Sequence, residues 1–189
     1  MKRKIIDTPH KNQFNMMAIM PTLDAERERR TILATIRKPE VVFGSFAFNK
    51  QQQYGIHQKR PFTDIDVKSP VPKESALQIE QKLDNMVDMN NYYISELEHD
   101  EGVTYRVHSR GRGDYVVADV GKLTKRIPTR MINNVPYETM EHREKEVAKL
   151  LKKKDAEYRR AKDRQMMGYI KRAKKSTSKP TMFRAYKPF

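Results

Sequence analysis

Phe62-Thr63-Asp64-Ile65-Asp66-Val67 places two acids one residue apart within a run of strand-forming residues. Upstream lies a short apolar run ending in a turn dipeptide, Val41-Val42-Phe43-Gly44-Ser45. In an extended strand successive side chains point to opposite faces, so Asp64 and Asp66 project together while Ile65 and Val67 turn to the core. Carboxylates held side by side repel and raise each other's pKa, a cost that a bound cation removes. Hard oxygen ligands of this kind suit Mg²⁺.

The surrounding pattern predicts alternating elements. Leu23, Ile32, Leu33 and Ile36 form a helical stripe within Thr22 to Lys38, which Pro39 stops, and a strand follows over Glu40 to Phe43. Residues 46–60, with Gln51-Gln52-Gln53 and Gly55, read as a polar loop. After the Asp64/Asp66 strand, Ala76, Ile79, Leu83, Met86, Asn90, Ile94 and Leu97 recur at helical spacing and predict a helix over Lys73 to Leu97, with a break near Met89. A hairpin is expected next, Val103 to His108 and Tyr115 to Val120, reversing through Arg110-Gly111-Arg112-Gly113-Asp114. Residues 122–136 read as irregular. Tyr137 to about Lys175 reads as charged helix, two segments meeting near Lys154-Asp155.

Asp119 is an acid in a segment otherwise apolar on both faces, Tyr115-Val116-Val117-Ala118-Asp119-Val120, and such a charge needs a partner. Asp114 competes for the same role, but it sits in the glycine-rich reversal, where turn chemistry alone accounts for an aspartate. The same reading covers the tripeptide Arg112-Gly113-Asp114. His108 and Arg110 end the preceding strand, where they either face the acids or are simply exposed.

The order helix, strand, Gly-Ser, strand with Asp-x-Asp, helix, hairpin resembles the DNA polymerase β-like nucleotidyltransferase superfamily over roughly residues 22–125. The matching positions are Gly44 and Ser45, then Asp64 and Asp66, then Asp119 as the third acid. The resemblance implies an α+β fold, a small mixed β-sheet backed by helices, with a C-terminal helical segment. It also implies a two-ion Mg²⁺ site on Asp64, Asp66 and Asp119 and phosphate binding by Gly44 and Ser45. The implied activity moves a nucleoside monophosphate from a nucleoside triphosphate, such as ATP, to an acceptor hydroxyl and releases pyrophosphate. The connection from Gly44 to Asp64 is longer than is usual in the superfamily, so residues 49–60 read as an insertion beside the site.

With 189 residues and 37% hydrophobic content, the chain can build one modest core. Zero cysteines exclude a disulfide framework, a thiolate metal site and a cysteine nucleophile, and five scattered histidines offer no paired ligand spacing. No stretch reaches membrane-spanning length, and Met1-Lys2-Arg3-Lys4-Ile5-Ile6-Asp7 lacks an apolar leader core, so a soluble, cytoplasmic protein is expected. The net charge of +15 is lopsided: from Arg143 to Phe189 there are 17 Lys+Arg against 5 Asp+Glu, or +12. A basic block of this kind serves either as a solvated surface or as a polyanion contact, and with the resemblance it points to a nucleic-acid acceptor, RNA (possibly tRNA) before DNA. Aromatic and basic residues also interleave in the last fourteen positions, a composition suited to single-stranded nucleic acid. The expected organisation is an N-terminal arm (1–21), a nucleotidyltransferase core (22–131), a basic helical segment (132–175) and a basic, aromatic tail (176–189). Two rivals stand beside it, a non-catalytic nucleic-acid-binding module built on the basic C-terminal third and a structural relative of the enzymes that has lost the chemistry.

Overall fold

Along Ile65-Asp66-Val67-Lys68-Ser69 burial alternates strictly, with Ile65 and Val67 at 1% and 0% exposure between partly exposed Asp66 and Lys68. This is the strand parity expected from the sequence, and it orients the whole sheet. A computed structural model describes residues 3–6, 25–51, 64–88, 90–99, 102–111, 114–152 and 157–177. Its elements, in chain order, are β1 (Arg3–Ile6), α1 (Ala25–Thr35), β2 (Val41–Phe43), α2 (Gly44–Gln51), β3 (Ile65–Ser69), α3 (Pro72–Val87), β4 (Tyr92–His99), β5 (Gly102–Ser109), β6 (Tyr115–Lys122), β7 (Thr129–Ile132), β8 (Val135–Glu138), α4 (Met140–Lys152) and α5 (Glu157–Thr177).

The strands form one eight-stranded mixed sheet in the order β1-β4-β5-β6-β3-β2-β8-β7. The β6/β3 and β2/β8 pairs are parallel and the rest antiparallel. Ile65 and Val67, together with Ala118, Val120 and Val107, join Ile32 of α1, Ile36 just beyond it, and Ala76, Ile79 and Leu83 of α3 in the main core. A second apolar cluster joins Phe48 of α2 to Val147 of α4 and Met166, Ile170 and Ala173 of α5. Leu151 and Met167 lie against this second cluster. The α+β class, mixed sheet and C-terminal helices match the sequence reading.

Four local readings are corrected. Residues 44–51 are helix α2, because Phe46, Ala47 and Phe48 are all buried and a helix sends Phe46 and Phe48 to different cores. The helix predicted to reach Leu97 stops at Val87. Asp88 adopts a left-handed conformation (φ 55°) and donates its N–H to Asp84 O. Asp84 Oδ1 then accepts the N–H groups of Asn91 (2.7 Å) and Tyr92 (2.9 Å), turning the chain into β4. The stretch read as irregular contains the β7/β8 hairpin, closed by Asn133 and Asn134, both left-handed (φ 51° and 63°), between paired Ile132 and Val135. Tyr137 consequently lies in β8, and α4 starts after Thr139, whose Oγ1 accepts the His142 N–H at 3.3 Å. Within the N-terminal arm, residues 3–6 add an edge strand to β4; four residues are too few to register a period in sequence. The 52–63 part of the connection, Arg112-Gly113 and residues 178–189 lie outside the described residues. Among the described residues, no helix is long and apolar enough to cross a membrane.

Helix α1 is tied to the sheet by a polar node. Glu28, 3% exposed, accepts hydrogen bonds from the hydroxyls of Tyr92 (2.9 Å) and Tyr115. Removing the acceptor strands two hydroxyls, each at about 1–3 kcal/mol. Glu28→Ala is therefore expected to destabilise the fold by about 2–4 kcal/mol in urea unfolding, and Glu28→Gln, which keeps one acceptor oxygen, by less.

Candidate active site

The acidic cluster is a product of register. β3 and β6 run parallel with Asp66 directly beside Asp119, and both strands send their apolar alternates to the helices. The two acids must therefore share the other face. Asp64 precedes β3 by one residue, on the same parity as Asp66. One carboxylate oxygen from each of Asp64, Asp66 and Asp119 lies within 4.8 Å of the others. All three side chains are partly buried.

Asp114 is not a member of this cluster. It has a left-handed conformation (φ 61°), accepts the Tyr93 hydroxyl and lies 3.7 Å from His108 Nδ1. His108 is itself buried, with Nε2 2.8 Å from Ser95 Oγ and its ring stacked on Tyr93. Arg110 lies over the same Tyr93 ring. These contacts account for both residues as packing at the β4/β5 end, three positions along the sheet from Asp119.

The electrostatics follow from the geometry. Burial, reinforced by the charges of Asp64 and Asp119, pushes Asp66 up from about 3.8 to about 7, against the opposing pull of Arg143 and Lys162. Burial also raises Asp119, countered by Arg106 and reinforced by Asp64. Arg106 stands opposite Asp119 in the β5/β6 pair, Nε 3.2 Å from Oδ1 and Nη2 3.5 Å from Oδ2. Asp119 Oδ1 is buried and accepts no hydrogen bond among the described residues. Three converging carboxylates, two of them with raised pKa values, fit a divalent cation such as Mg²⁺.

Gly44 borders this cluster closely. Its φ of +74° suits glycine, and a Cβ at that position would overlap the Asp66 carboxylate. The Gly44 N–H donates to Glu138 Oε2 at 3.4 Å, and Glu138 Oε1 lies 2.8 Å from His142 Nδ1. A buried carboxylate thus already sits at the start of α2, while Ser45 occupies the first turn, partly exposed. The sequence pattern does not single out Glu138, His142, Arg106, Arg143 or Lys162. The Asn133-Asn134 turn is the signal for the first two, since it places Glu138 at a strand end and His142 one helical turn beyond it. Counting outward from the 110–114 reversal sets Arg106 near Asp119.

No family model matches the chain, and neither does any curated protein. In fold it is similar to the crystal structure of the Megavirus polyadenylate synthase, with a TM-score of 0.62 and 19% sequence identity. The likeness covers 79% of this chain and 32% of the synthase, so the chain spans about a third of that protein's length.

Two measurements test the site. Because folded Asp66 holds a proton that the unfolded chain releases between pH 4 and 7, stability of the metal-free protein should fall as pH rises through that window. Asp66→Asn should flatten the fall and raise stability at pH 8 by about 2 kcal/mol, discounted from roughly 4 because the site keeps some solvent access. Gly44→Ala should destabilise by about 2 kcal/mol or more, from the left-handed strain and the clash with Asp66, as read by thermal melting.

Proposed function

We propose that the chain is a Mg²⁺-dependent nucleotidyltransferase that moves a nucleoside monophosphate from a nucleoside triphosphate, ATP being the favoured donor, to an acceptor hydroxyl on RNA. The observation that carries the reading is the convergence of Asp64, Asp66 and Asp119 beside the Gly44 start of α2, within a nucleotidyltransferase-like fold. RNA is favoured over DNA as the acceptor by the likeness to a polyadenylate synthase and by the +12 balance of residues 143–189.

In this reading the three aspartates hold the metal, which when bound neutralises charge on the triphosphate and lowers the pKa of the attacking hydroxyl. The acceptor oxygen forms a bond to the α-phosphorus while the bond to the α–β bridging oxygen breaks and pyrophosphate leaves. The hydroxyl proton passes to Asp119, the carboxylate that would stand nearest the metal-bound acceptor oxygen in this reading. Arg106 orients the Asp119 carboxylate. Ser45 and the first turn of α2 present N–H groups to phosphate oxygens. Residues 22–131 carry the reacting groups, and the basic helices supply Arg143 and Lys162, whose charges act on Asp66. The tail over residues 176–189 adds cations and rings for the acceptor strand.

Incubating the protein with labelled nucleoside triphosphates, Mg²⁺ and RNA should transfer label, with EDTA abolishing it. Asp64→Asn and Asp66→Asn should each lower transfer by more than about a hundredfold while leaving the circular dichroism spectrum unchanged. Near-wild-type transfer by either variant would sink the mechanism. Tight RNA binding with no transfer of any nucleotide would favour the non-catalytic nucleic-acid-binding module.

A further inference from the structure

At the end of the sheet away from Gly44, the segment joining α1 to β2 faces the chain leaving β6. Leu123 donates its N–H to Ser69 O at 2.7 Å, which keeps that chain alongside the end of β3. Between these walls, closed by Thr129 of β7 and Pro136 of β8, lies a cleft of about 520 Å³. That volume falls in the range of small-ligand sites, roughly 300–1,000 Å³. Nothing in the proposed reaction uses it.

Its lining combines two chemistries. Val41, Ile127 and Pro136 are apolar, while Lys38, Lys125 and Arg126 are exposed cations and Thr124 and Thr129 carry hydroxyls. Glu40 also lines the cleft, but its charge is engaged: Oε1 accepts Ser75 Oγ at 2.5 Å and Oε2 accepts the Arg37 N–H at 3.0 Å. Lys125 is paired with Glu146 at 3.1 Å. Lys38 and Arg126 have no ion-pair partner among the described residues. The surface continues basic on either side, since residues 121–134 contain four cations (Lys122, Lys125, Arg126 and Arg130) and no acid.

We propose that this cleft holds a nucleotide of single-stranded RNA, its base against the apolar lining and its flanking phosphates on Lys38 and Arg126. A free inorganic anion would leave the apolar lining unused, and a duplex keeps its bases stacked inside and cannot offer one to the cleft. Val41 lines the cleft, and Phe43, two residues and about 7 Å further along β2, pairs with Asp66. A strand seated here therefore has its end within reach of the acidic cluster. The strand's role as acceptor rests on the proposed nucleotidyltransferase reading, whereas its binding does not.

The test measures binding of a short single-stranded RNA to the full chain in EDTA across a salt series, for wild type, Lys38→Ala/Arg126→Ala, and a control that removes two exposed charges of α5, Arg164→Ala/Lys171→Ala. The cleft variant should bind about tenfold more weakly at 0.15 M salt and flatten the log–log salt slope by about 1.4, the change expected when two phosphates are no longer neutralised. The control should lose less, all three proteins should melt together, and duplex RNA of the same sequence should bind more weakly and be indifferent to the cleft variant. Absence of RNA binding by wild type, unchanged binding by the cleft variant, equal losses in both variants, or equal competition by duplex RNA or polyglutamate would each overturn the proposal. Loss of binding in the cleft variant together with no nucleotide transfer by wild type would leave the cleft assigned and refute the activity. Transfer by wild type with unchanged RNA binding in the variant would do the reverse.

Discussion

Parallel pairing of β3 with β6 in a single register forces Asp66 against Asp119, and the rest of the structure is arranged around that forced contact. What holds the register is on the other side of the sheet. Ile65, Val67, Ala118 and Val120 are essentially inaccessible to solvent, and a slip of one residue would turn them out and the acids in. Burying Ile65, Val67 and Val120 contributes roughly 1.5–3 kcal/mol each, which together exceeds the roughly 4 kcal/mol implied by the raised pKa of Asp66. Apolar burial therefore outweighs the repulsion. The row across the sheet, Phe43, Asp66, Asp119, Arg106 and Ser95, then places one cation beside the acids from β5, while Arg143 and Lys162 act from the C-terminal helices.

Helix α2 binds the two halves of the molecule together. It begins at the residue that abuts Asp66, sends Phe46 to the main core, where its ring stacks near Tyr137, and sends Phe48 to the cluster under α4 and α5. Gln51 at its other end donates to the backbone oxygen of Glu138, the same residue whose side chain accepts the Gly44 N–H. Both ends of the helix are thus referred to one strand end. The basic C-terminal helices are not an independent appendage, because their packing partner is the helix that borders the acids.

Much of this is legible in the primary structure wherever parity or spacing alone decides. Asp64, Asp66 and Asp119 can be placed on one face because strands alternate, and Met166 and Ile170 can be assigned to packing because they lie four apart on a helix. Legibility fails where tertiary pairing overrides a local pattern. Ile94 and Leu97 continue the helical spacing of Leu83 and Met86, yet the Asp84 side chain and pairing with β5 make them strand. Phe46 and Phe48 open a stretch that reads as polar loop, yet they are helical because two cores flank them. Glu138 is hidden behind the Asn133-Asn134 turn, and with it the partner that holds Gly44.

The shortness of α2 has a mechanical consequence. Eight residues make a rod about 12 Å long, pinned near its middle by Phe46 and Phe48 and carrying Gly44 at its tip. Such a rod is a lever: a tilt of about 5° about its far end moves the tip by about 1 Å, a misplacement of the size that can cost a reaction about a hundredfold. Whatever repacks Val147, Met166 or Ile170 against Phe48 therefore pulls on the boundary of the acidic cluster without touching it.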